Sequence, residues 1–432
     1  MNSRAVAASV LQRVLQDKHS LTAALDAVLP GITVLQDRSF IQALCYGVVR
    51  HYAELDFILN TLLSKPLKAK EAEVKALALM GLYQLKYMRV KEHAAVSETV
   101  SAAKRQPWAK ALLNAVFRRY GREREALDAL AEANPSAKYN HPDWLMAKIR
   151  HDWPEYAEQI LQANNQPPPM ALRVNLTCCS REVYQALLTA AGIEAEVGQF
   201  SPAALILKQA VSVGELPQFE QGWVSVQDTA AQLAAQVLDV QPGQRVLDLC
   251  AAPGGKTCAI LERQPALKAM WAVDIDANRL LRVQENLHRL RLSAELRTGD
   301  ALAVTDWWDG QLFERILVDA PCSALGVIRR HPDIKVLRLA EDIDALAALQ
   351  QQIIATAWGL LAPGGVLVYA TCSVLKQENE QQVSAFLSQH PDATELAIDE
   401  AWGIAVSAGR QIITGMHTMD GFYYARLLKK PH

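Results

Sequence analysis

The C-terminal half of the chain alternates regularly between apolar strand-like runs and helical patterns, and this alternation constrains the fold more than any other feature. The predicted strands cover residues 245–249, 270–274, 294–298, 315–319, 365–371 and 422–428, and predicted helices at 277–290, 342–361 and 377–389 lie between them. Strands that are apolar along their whole length are typical of a sheet covered by helices on both faces. We therefore predict a parallel, doubly wound α/β sheet for residues 227–432.

Two different patterns precede this sheet. Residues 1–140 carry apolar residues at helical spacing, with Ser3 as the expected N-cap of the first helix, which predicts an all-α bundle. Residues 141–226 begin with short helices and continue, after a Pro167-Pro168-Pro169 connector, with short strands and one helix, which predicts a small α+β module. The predicted domains are therefore 1–140, 141–226 and 227–432.

The charge of the chain is divided unevenly between these regions. Residues 1–140 contain 20 Lys and Arg against 13 Asp and Glu, a net charge of +7. Because the whole chain carries −2, the remainder carries −9. A basic N-terminal third on an acidic remainder indicates an anion-binding module, with nucleic acid as the first candidate. An ordinary solvated helix surface is equally compatible with charge alone.

Arginines beside aromatic side chains add to the nucleic-acid interpretation. They surround Phe117 and Tyr120, and a guanidinium can pair with phosphate and stack on bases, which suits RNA. The candidate RNA-binding residues of this region are Lys104, Arg105, Arg118, Arg119 and Arg122.

Composition excludes several other classes of protein. Half of the residues are hydrophobic and 21% are charged, which excludes a disordered chain. No apolar run approaches the roughly 20 residues that span a bilayer, and the first residues lack the apolar core of a signal peptide. Seven cysteines, an odd number, argue against a disulfide framework. We therefore expect reduced thiols and a cytoplasmic protein with no membrane partner.

A glycine loop follows the first strand of the predicted sheet. Its residues are Cys250, Ala251, Ala252, Pro253, Gly254, Gly255 and Lys256. The spacing matches neither a P-loop nor a GxGxxG dinucleotide loop. Asp274 ends the second strand 20 residues after Gly254, where doubly wound folds place an acid that holds ribose hydroxyls, and Asp300 follows the third strand. The loop and the two acids together predict an adenosyl ligand such as S-adenosylmethionine.

Two cysteines follow the carboxyl ends of two further strands. Cys322 comes after Asp319-Ala320-Pro321 and Cys372 comes after Thr371, and ligands bind beyond such strand ends in doubly wound sheets. The remaining cysteines, Cys45, Cys178, Cys179, Cys258 and Cys250, are expected to be small core residues. Zinc is not predicted, because the chain has no CxxC spacing.

The motifs around these cysteines resemble those of the Sun/Fmu type of ribosomal RNA 5-methylcytosine methyltransferase, the bacterial branch of the Nol1/Nop2/Sun family. The resemblance covers nearly the whole chain. It rests on the loop 248–256, the proline-cysteine motif 319–323, the threonine-cysteine motif 371–373, the segment 329–333 and the segment 420–425. One departure is Thr414 before Gly415, where the family has proline.

The resemblance implies a fold for each domain. It implies an all-α NusB-like N-terminal bundle, a small α+β RRM-like insert and a C-terminal α/β domain of the class I, Rossmann-like, S-adenosylmethionine-dependent methyltransferases. These expectations agree with the patterns of the three predicted domains.

The resemblance also implies roles for the site residues. Cytosine carbon 5 is a poor nucleophile, and adding a thiolate to carbon 6 activates it, which is why the chemistry needs cysteine. Cys372 would be this nucleophile and Cys322 would assist the elimination that releases the product. Asp319 would bind the pyrimidine edge, and Lys256 would place positive charge near the pyrimidine or the cofactor. The implied cofactor-binding residues are Cys250, Ala251, Ala252, Pro253, Gly254, Gly255, Lys256, Asp274, Asp300 and Asp319.

The implied substrate is a cytosine of small-subunit 16S ribosomal RNA, free or at an early stage of assembly, with no oligomer required. Arg329 and Arg330 lie in a segment expected to form a lid or a phosphate contact. Four alternatives stay open: the same reaction on tRNA or large-subunit rRNA, a non-catalytic RNA-binding assembly factor, a DNA cytosine methyltransferase, and a small-molecule methyltransferase. DNA enzymes use the proline-cysteine motif as nucleophile and need no second cysteine, so Cys372 favours RNA.

Overall fold

The computed structural model describes residues 2–103 and 107–431. The chain divides into two structural units. The first consists of Met1–Gln166 and Ile328–Ala340, and the second consists of Pro167–Val327 and Glu341–His432. In each unit the chain therefore comes from two separate stretches of sequence.

The first unit is built from helices, as predicted. They are α1 (Ser3–Leu15), α2 (Leu21–Asp26), α3 (Leu35–Arg50), α4 (Tyr52–Leu62), α5 (Ala72–Tyr87), α6 (Glu92–Ala102), α7 (Pro107–Ala133), α8 (Pro135–Tyr139), α9 (Asp143–Asp152) and α10 (Ala157–Asn164). The prediction that Ser3 caps α1 is wrong. Asn2 accepts hydrogen bonds from the Arg4 and Ala5 amides, and Ser3 Oγ instead donates to Asp37 Oδ1 at 2.8 Å.

The helical unit is closely packed at its centre. A Cβ at Gly81 of α5 would lie 2.1 Å from the Phe117 ring of α7, so a larger residue at this position would force the ring to move. Val10, Leu11 and Val14 of α1 are fully buried in the same core. The apolar spacing that predicted helices therefore also marks the residues that pack between them.

The second unit begins with the small α+β module. Its elements are β1 (Met170–Val174), α11 (Arg181–Ala190), β2 (Ala195–Val197), β3 (Ala204–Leu207) and β4 (Val224–Val226). The strands form an antiparallel sheet in the order β2-β3-β1-β4. A core that includes Leu172, Val174, Tyr184 and Leu188 joins β1 to α11. The α+β expectation for this region is confirmed.

The larger sheet and its helices complete the second unit. In chain order the elements are α12 (Thr229–Leu238), β5 (Arg245–Leu249), α13 (Gly255–Arg263), β6 (Ala269–Asp274), α14 (Ala277–Leu290), β7 (Glu295–Thr298), β8 (Phe313–Asp319), α15 (Ile334–Leu337), α16 (Asp342–Leu360), β9 (Leu361–Thr371), α17 (Glu380–Gln389), β10 (Ala393–Glu395), β11 (Ile404–Ala405), β12 (Arg410–Ile412) and β13 (Phe422–Lys429). Of these elements, α15 alone belongs to the first unit.

The order of the strands places the site. The sheet runs β11-β12-β13-β9-β8-β5-β6-β7, with β10 also paired to β13. Strands β5 to β9 are parallel, and the chain moves from β5 outward to β6 and β7 before it returns to β8 and β9 on the other side of β5. Ligands bind at such a reversal, beyond the carboxyl ends of the strands.

The prediction of a wholly parallel sheet is wrong at one edge. Strand β13 is antiparallel to β9, with Tyr424 opposite Ala370, and β12 is antiparallel to β13. The sheet is therefore mixed. Strands β11 and β12 are also antiparallel and form a hairpin. A short turn is enough to join them, because antiparallel neighbours need no helical crossover.

The segment Ile328–Ala340 belongs to the helical unit, although it interrupts the second unit in sequence. Asp333 accepts a hydrogen bond from the Leu21 amide at 2.9 Å, and Nζ of the buried Lys335 donates to the Arg50 carbonyl at 2.7 Å. We expected a lid or a phosphate contact here. The buried polar contacts show instead that the segment is part of the interior of the helical unit.

Candidate active site

The predicted cofactor loop joins β5 to α13. Gly254 is the N-cap of α13 and has φ 92°, and a Cβ at this position would lie 2.8 Å from Val283 Cγ1 of α14. Both the positive φ and the close approach require glycine. Cys250 also has a positive φ, 64°, where the chain leaves β5. The loop thus leads from a strand end into a helix N-terminus, a geometry that suits polar and anionic ligand groups.

A cavity of about 230 Å³ lies beside this loop and brings the two predicted acids together. Asp274 is buried and Asp300 is exposed, and both line the cavity with Cys250. One carboxylate oxygen of Asp274 accepts the Ala252 amide at 3.0 Å. Asp274 therefore also fastens the loop, a role that sequence reasoning did not assign.

Lys256 and Asp319 form an ion pair between the cofactor loop and the end of β8. Lys256 Nζ lies 2.5 Å from Asp319 Oδ2 and 5.0 Å from the centre of the Phe422 ring. Burial lowers the pKa of Lys256, but the Asp319 carboxylate outweighs it and leaves this pKa above its ordinary value. The ammonium is therefore charged, and the Cys372 sulfur is among the groups that interact with it electrostatically.

The two predicted catalytic cysteines meet at the ends of β8 and β9. Cys322 Sγ and Cys372 Sγ are 3.5 Å apart, and the Gly326 amide donates to the Cys372 carbonyl at 2.8 Å. The hydrogen bond with Cys372, together with burial, raises the pKa of Cys322 well above its ordinary value. Cys322 therefore carries a proton at neutral pH.

Thr414 replaces the proline of the family pattern beside this pair. It is fully buried, and its hydroxyl donates to the Gly326 carbonyl at 3.3 Å. Gly421 donates its amide to the same carbonyl at 2.8 Å. The replacement therefore supplies a hydrogen bond to the loop that follows Cys322, which a proline could not make.

Sequence reasoning missed two buried acids near the site. Burial raises the pKa of Asp248 in β5 to about 7, and the Thr257 hydroxyl donates to it at 2.5 Å. The signal was an acid inside an otherwise apolar strand. Glu378 is fully buried and binds the serines that follow the two cysteines. Only its short distance from the threonine-cysteine motif could have indicated it.

The other cysteines are partly as expected. Cys45 and Cys258 are buried, but Cys178 is exposed, so its assignment to a core is wrong. Burial raises the pKa of Cys250 to about 12, which keeps this thiol protonated. Within residues 2–103 and 107–431, no group of three or more His, Cys, Asp and Glu is placed to hold a metal ion. No helix in the described part of the chain is long and apolar enough to cross a membrane.

The candidate RNA-binding arginines differ in their surroundings. Arg118 and Arg122 are exposed on α7, whereas Arg119 pairs with Glu123 at 3.0 Å. Arg329 is only 4% exposed, so the structure does not present its guanidinium to a phosphate as expected. Arg330 is half-buried. Lys104 and Arg105 lie outside the described residues.

The strand order, the loop after β5 and the cysteine pair together define a Rossmann-like methyltransferase domain. Family models agree over three regions: "NusB family" matches residues 1–122, "Methyltr_RsmF/B-like, ferredoxin-like domain" matches 141–214, and "16S rRNA methyltransferase RsmB/F" matches 235–428. The chain belongs to the RsmB/F family of methyltransferases. It is therefore an enzyme with a NusB-like helical domain, a ferredoxin-like insert and a Rossmann-like catalytic domain.

Curated relatives cover the whole length of the chain. A protein of Pseudomonas putida named "Ribosomal RNA small subunit methyltransferase B" is 50% identical over 431 residues, which are 99% of each chain. A protein of Vibrio cholerae with the same name is also 50% identical, over 100% of this chain and 98% of its own.

Solved structures show the same fold. The structure of PH0851 matches with a TM-score of 0.84 at 20% identity and covers 99% of both chains. A methyltransferase homologue from Pyrococcus horikoshii matches with a TM-score of 0.60 at 26% identity, over 68% of this chain and 97% of its own.

Proposed function

We propose that the protein transfers a methyl group from S-adenosylmethionine to carbon 5 of a cytosine in 16S ribosomal RNA, through a covalent bond between Cys372 and carbon 6. The observation that carries the proposal is the 3.5 Å distance between Cys322 Sγ and Cys372 Sγ. The names of the relatives support the small ribosomal subunit as the source of the RNA.

The two cysteines divide the chemistry between them. Cys372 Sγ bonds to carbon 6, which gives carbon 5 the electron density to accept the methyl group. Release requires that carbon 5 lose its proton while the bond to Cys372 Sγ breaks. The hydrogen bond with Cys372 is the largest cause of the raised pKa of Cys322, and this hydrogen bond changes once Cys372 is a thioether. Cys322 then loses its own proton to solvent more easily, and its thiolate takes the proton from carbon 5. The electron pair of that carbon–hydrogen bond forms the double bond between carbons 5 and 6, and Cys372 leaves as a thiolate.

Asp319 and Lys256 set the charge around the ring. As a pair they lie between the cofactor loop and the strand end that leads to Cys322. Asp319 binds the pyrimidine edge, and the Lys256 ammonium offsets negative charge that develops as the thiolate adds. The target base must leave its stack to reach these groups.

The cavity beside the glycine loop supports the proposed cofactor site. S-adenosylmethionine supplies an electrophilic methyl group when it is bound. In this proposal Asp274 holds ribose hydroxyls and Asp300 meets the adenine, which is supported by both acids lining the cavity. Gly254 and Gly255 let the amino-acid tail approach the backbone. Arg118 and Arg122 are the exposed members of the proposed RNA-binding set. The proposed domains are 1–140, 141–226 and 227–432, and together they combine RNA binding with catalysis. The proposed enzyme is cytoplasmic, needs no second subunit and acts on 16S rRNA that is free or at an early stage of assembly.

Nucleoside mass spectrometry tests this proposal. The full-length protein is incubated with S-adenosylmethionine and with 16S rRNA, 23S rRNA or tRNA, and 5-methylcytidine is measured after digestion. We expect it in 16S rRNA alone and expect none with Cys372→Ala. Methylation of tRNA or 23S rRNA but not of 16S rRNA would show that the proposed substrate is wrong while the reaction is right. RNA binding without methylation of any of the three would overturn the proposed activity in favour of an assembly factor.

A further inference from the structure

A buried carboxylate connects the two cysteine loops. Glu378 lies just after β9 and is fully buried. Its Oε2 accepts the hydroxyls of Ser323 and Ser373, each at 2.5 Å, and its Oε1 accepts the Ser323 amide at 2.8 Å and Gln350 Nε2 at 3.0 Å. Ser323 and Ser373 are the residues that directly follow Cys322 and Cys372. One side chain therefore binds the neighbours of both sulfur atoms.

A carboxylate suits this position better than other side chains. Four donors converge on it, and a carboxylate accepts hydrogen bonds at both oxygens without presenting a donor of its own. Distances of 2.5 Å are typical of hydroxyls that donate to a carboxylate. A glutamine would replace one acceptor with an NH₂ group, which cannot accept from Ser323 or Gln350. Burying a charge is unfavourable, and here the four hydrogen bonds to the carboxylate offset that cost.

The two loops depend on Glu378 to different extents. The Cys372 side is also fixed by Asn379, which accepts the Thr371 hydroxyl at 2.5 Å and donates to the Ser373 carbonyl at 3.0 Å. On the Cys322 side, Glu378 accepts both the amide and the hydroxyl of Ser323. Gln350 Nε2 also donates to the Pro321 carbonyl on this side at 3.0 Å, but the same nitrogen donates to Glu378, so this support depends on Glu378 as well. Loss of the carboxylate is therefore expected to displace Cys322 more than Cys372.

We propose that Glu378 is a positioning residue that holds Cys322 beside Cys372 through Ser323 and Ser373, so that product release can follow attack. The inference rests on the proposed function. The side-chain hydrogen bonds of Glu378 described above go to Ser323, Ser373 and Gln350, none of which belongs to the glycine loop. The Glu378 charge is also one of the causes that raise the pKa of Cys322, after the hydrogen bond with Cys372 and burial.

Glu378→Gln tests this role, and the chain offers a matched control. Glu380 is also buried and also accepts the amide and hydroxyl of a serine, Ser407, each at 2.8 Å, but Ser407 is not next to a cysteine. Each full-length variant is incubated with S-adenosylmethionine and 16S rRNA. The measurements are the first-turnover rate, the steady-state rate and the fraction of protein covalently joined to RNA on a denaturing gel.

We expect Glu378→Gln to lower the steady-state rate by about tenfold to a hundredfold, while the first turnover changes much less and the covalent fraction rises. Glu380→Gln should leave the covalent fraction at the level of the unmodified protein. The adduct should disappear in Glu378→Gln with Cys372→Ala. Equal losses in first turnover and steady state with no adduct, or unchanged rates with no adduct, would overturn the positioning role.

Single hydroxyl deletions keep the test decisive if Glu378→Gln fails to fold. Ser323→Ala should accumulate adduct, and Ser373→Ala should accumulate less because Asn379 still holds its loop. The reverse order, or no adduct from Ser323→Ala, would contradict the inference. Cys322→Ala is measured in parallel. If it forms no adduct and the unmodified protein makes no 5-methylcytidine, the proposed function fails. If Cys322→Ala forms adduct but Glu378→Gln and Ser323→Ala do not, only the role of Glu378 is refuted.

Discussion

Arg173 of the α+β module forms a buried bidentate ion pair with Glu262 of α13. Nε and Nη2 of Arg173 lie 2.8 Å from the two carboxylate oxygens, and the exposed fractions of the two side chains are 5% and 7%. Arg173 Nη1 also donates to the Gly255 carbonyl at 2.9 Å. The module therefore takes part in fixing the glycine loop that follows β5.

Replacing Arg173 should reduce both stability and cofactor affinity. Arg173→Ala leaves Glu262 as an unpaired buried charge, which costs about 3–5 kcal/mol of unfolding free energy. Chemical denaturation and titration calorimetry with S-adenosylmethionine measure the two effects. The control is Arg173→Met with Glu262→Met, which should recover stability but not cofactor affinity, because Gly255 still lacks its donor. Unchanged affinity for S-adenosylmethionine in both variants would show that Arg173 does not support cofactor binding through the loop.

Cys372→Ala should abolish methyl transfer. Without the sulfur no bond to carbon 6 forms, and carbon 5 stays unreactive. Cofactor affinity should change by no more than a few-fold, because Cys372 does not line the cavity beside the glycine loop. Transfer of labelled methyl groups to 16S rRNA measures the first effect and calorimetry the second. Near-normal turnover would show that another group is the nucleophile.

Cys322→Ala should trap the enzyme on its RNA. Cys372 can still attack and carbon 5 can still be methylated, but release stalls without the second sulfur. A slowly migrating protein–RNA band should appear on a denaturing gel after incubation with S-adenosylmethionine. It should be absent when Cys372→Ala is added. A band that persists in the double variant would contradict this division of roles.

The stability of the protein should depend on pH through Asp248. Burial raises its pKa in the folded protein from 3.8 to about 7, so between these values the folded state holds a proton that the unfolded state has lost. The contribution of Asp248 to stability is therefore greatest at low pH and decreases as pH rises towards 7. Asp248→Asn should remove this decrease. Denaturation midpoints at pH 5.5 and 8 measure it, and an identical pH dependence in both proteins would refute the assignment.

RNA binding should depend on exposed arginines of α7. Arg118→Gln with Arg122→Gln should weaken binding to 16S rRNA and lower the slope of log affinity against log salt by about 1.4, the value for two lost phosphate contacts on single strands. Arg119→Gln is the control, because Arg119 already pairs with Glu123. Filter binding at several salt concentrations measures the slope. An unchanged slope of log affinity against log salt in the double variant would show that Arg118 and Arg122 do not contact the RNA.

Local sequence patterns determined most of the elements and the core of the site. Strand β5 and the end of β8 were predicted within a residue or two, because apolar runs and turn residues are properties of short segments. The same is true of the glycine loop and of Cys322 and Cys372 after parallel strands. Their 3.5 Å separation follows from the pairing of β8 with β9, which the sequence did not predict.

Only the tertiary structure decided the long-range partners. Four features join residues far apart in the chain: the antiparallel pairing of β13 with β9, the burial of Arg329 with the segment 328–340, the ion pair of Arg173 with Glu262, and the contact of Glu378 with Ser323. The spacing of apolar residues along the sequence does not predict which distant donor binds a buried carboxylate. Such polar groups are selected by the need to satisfy hydrogen bonds away from water, and that need arises only once the whole chain is packed.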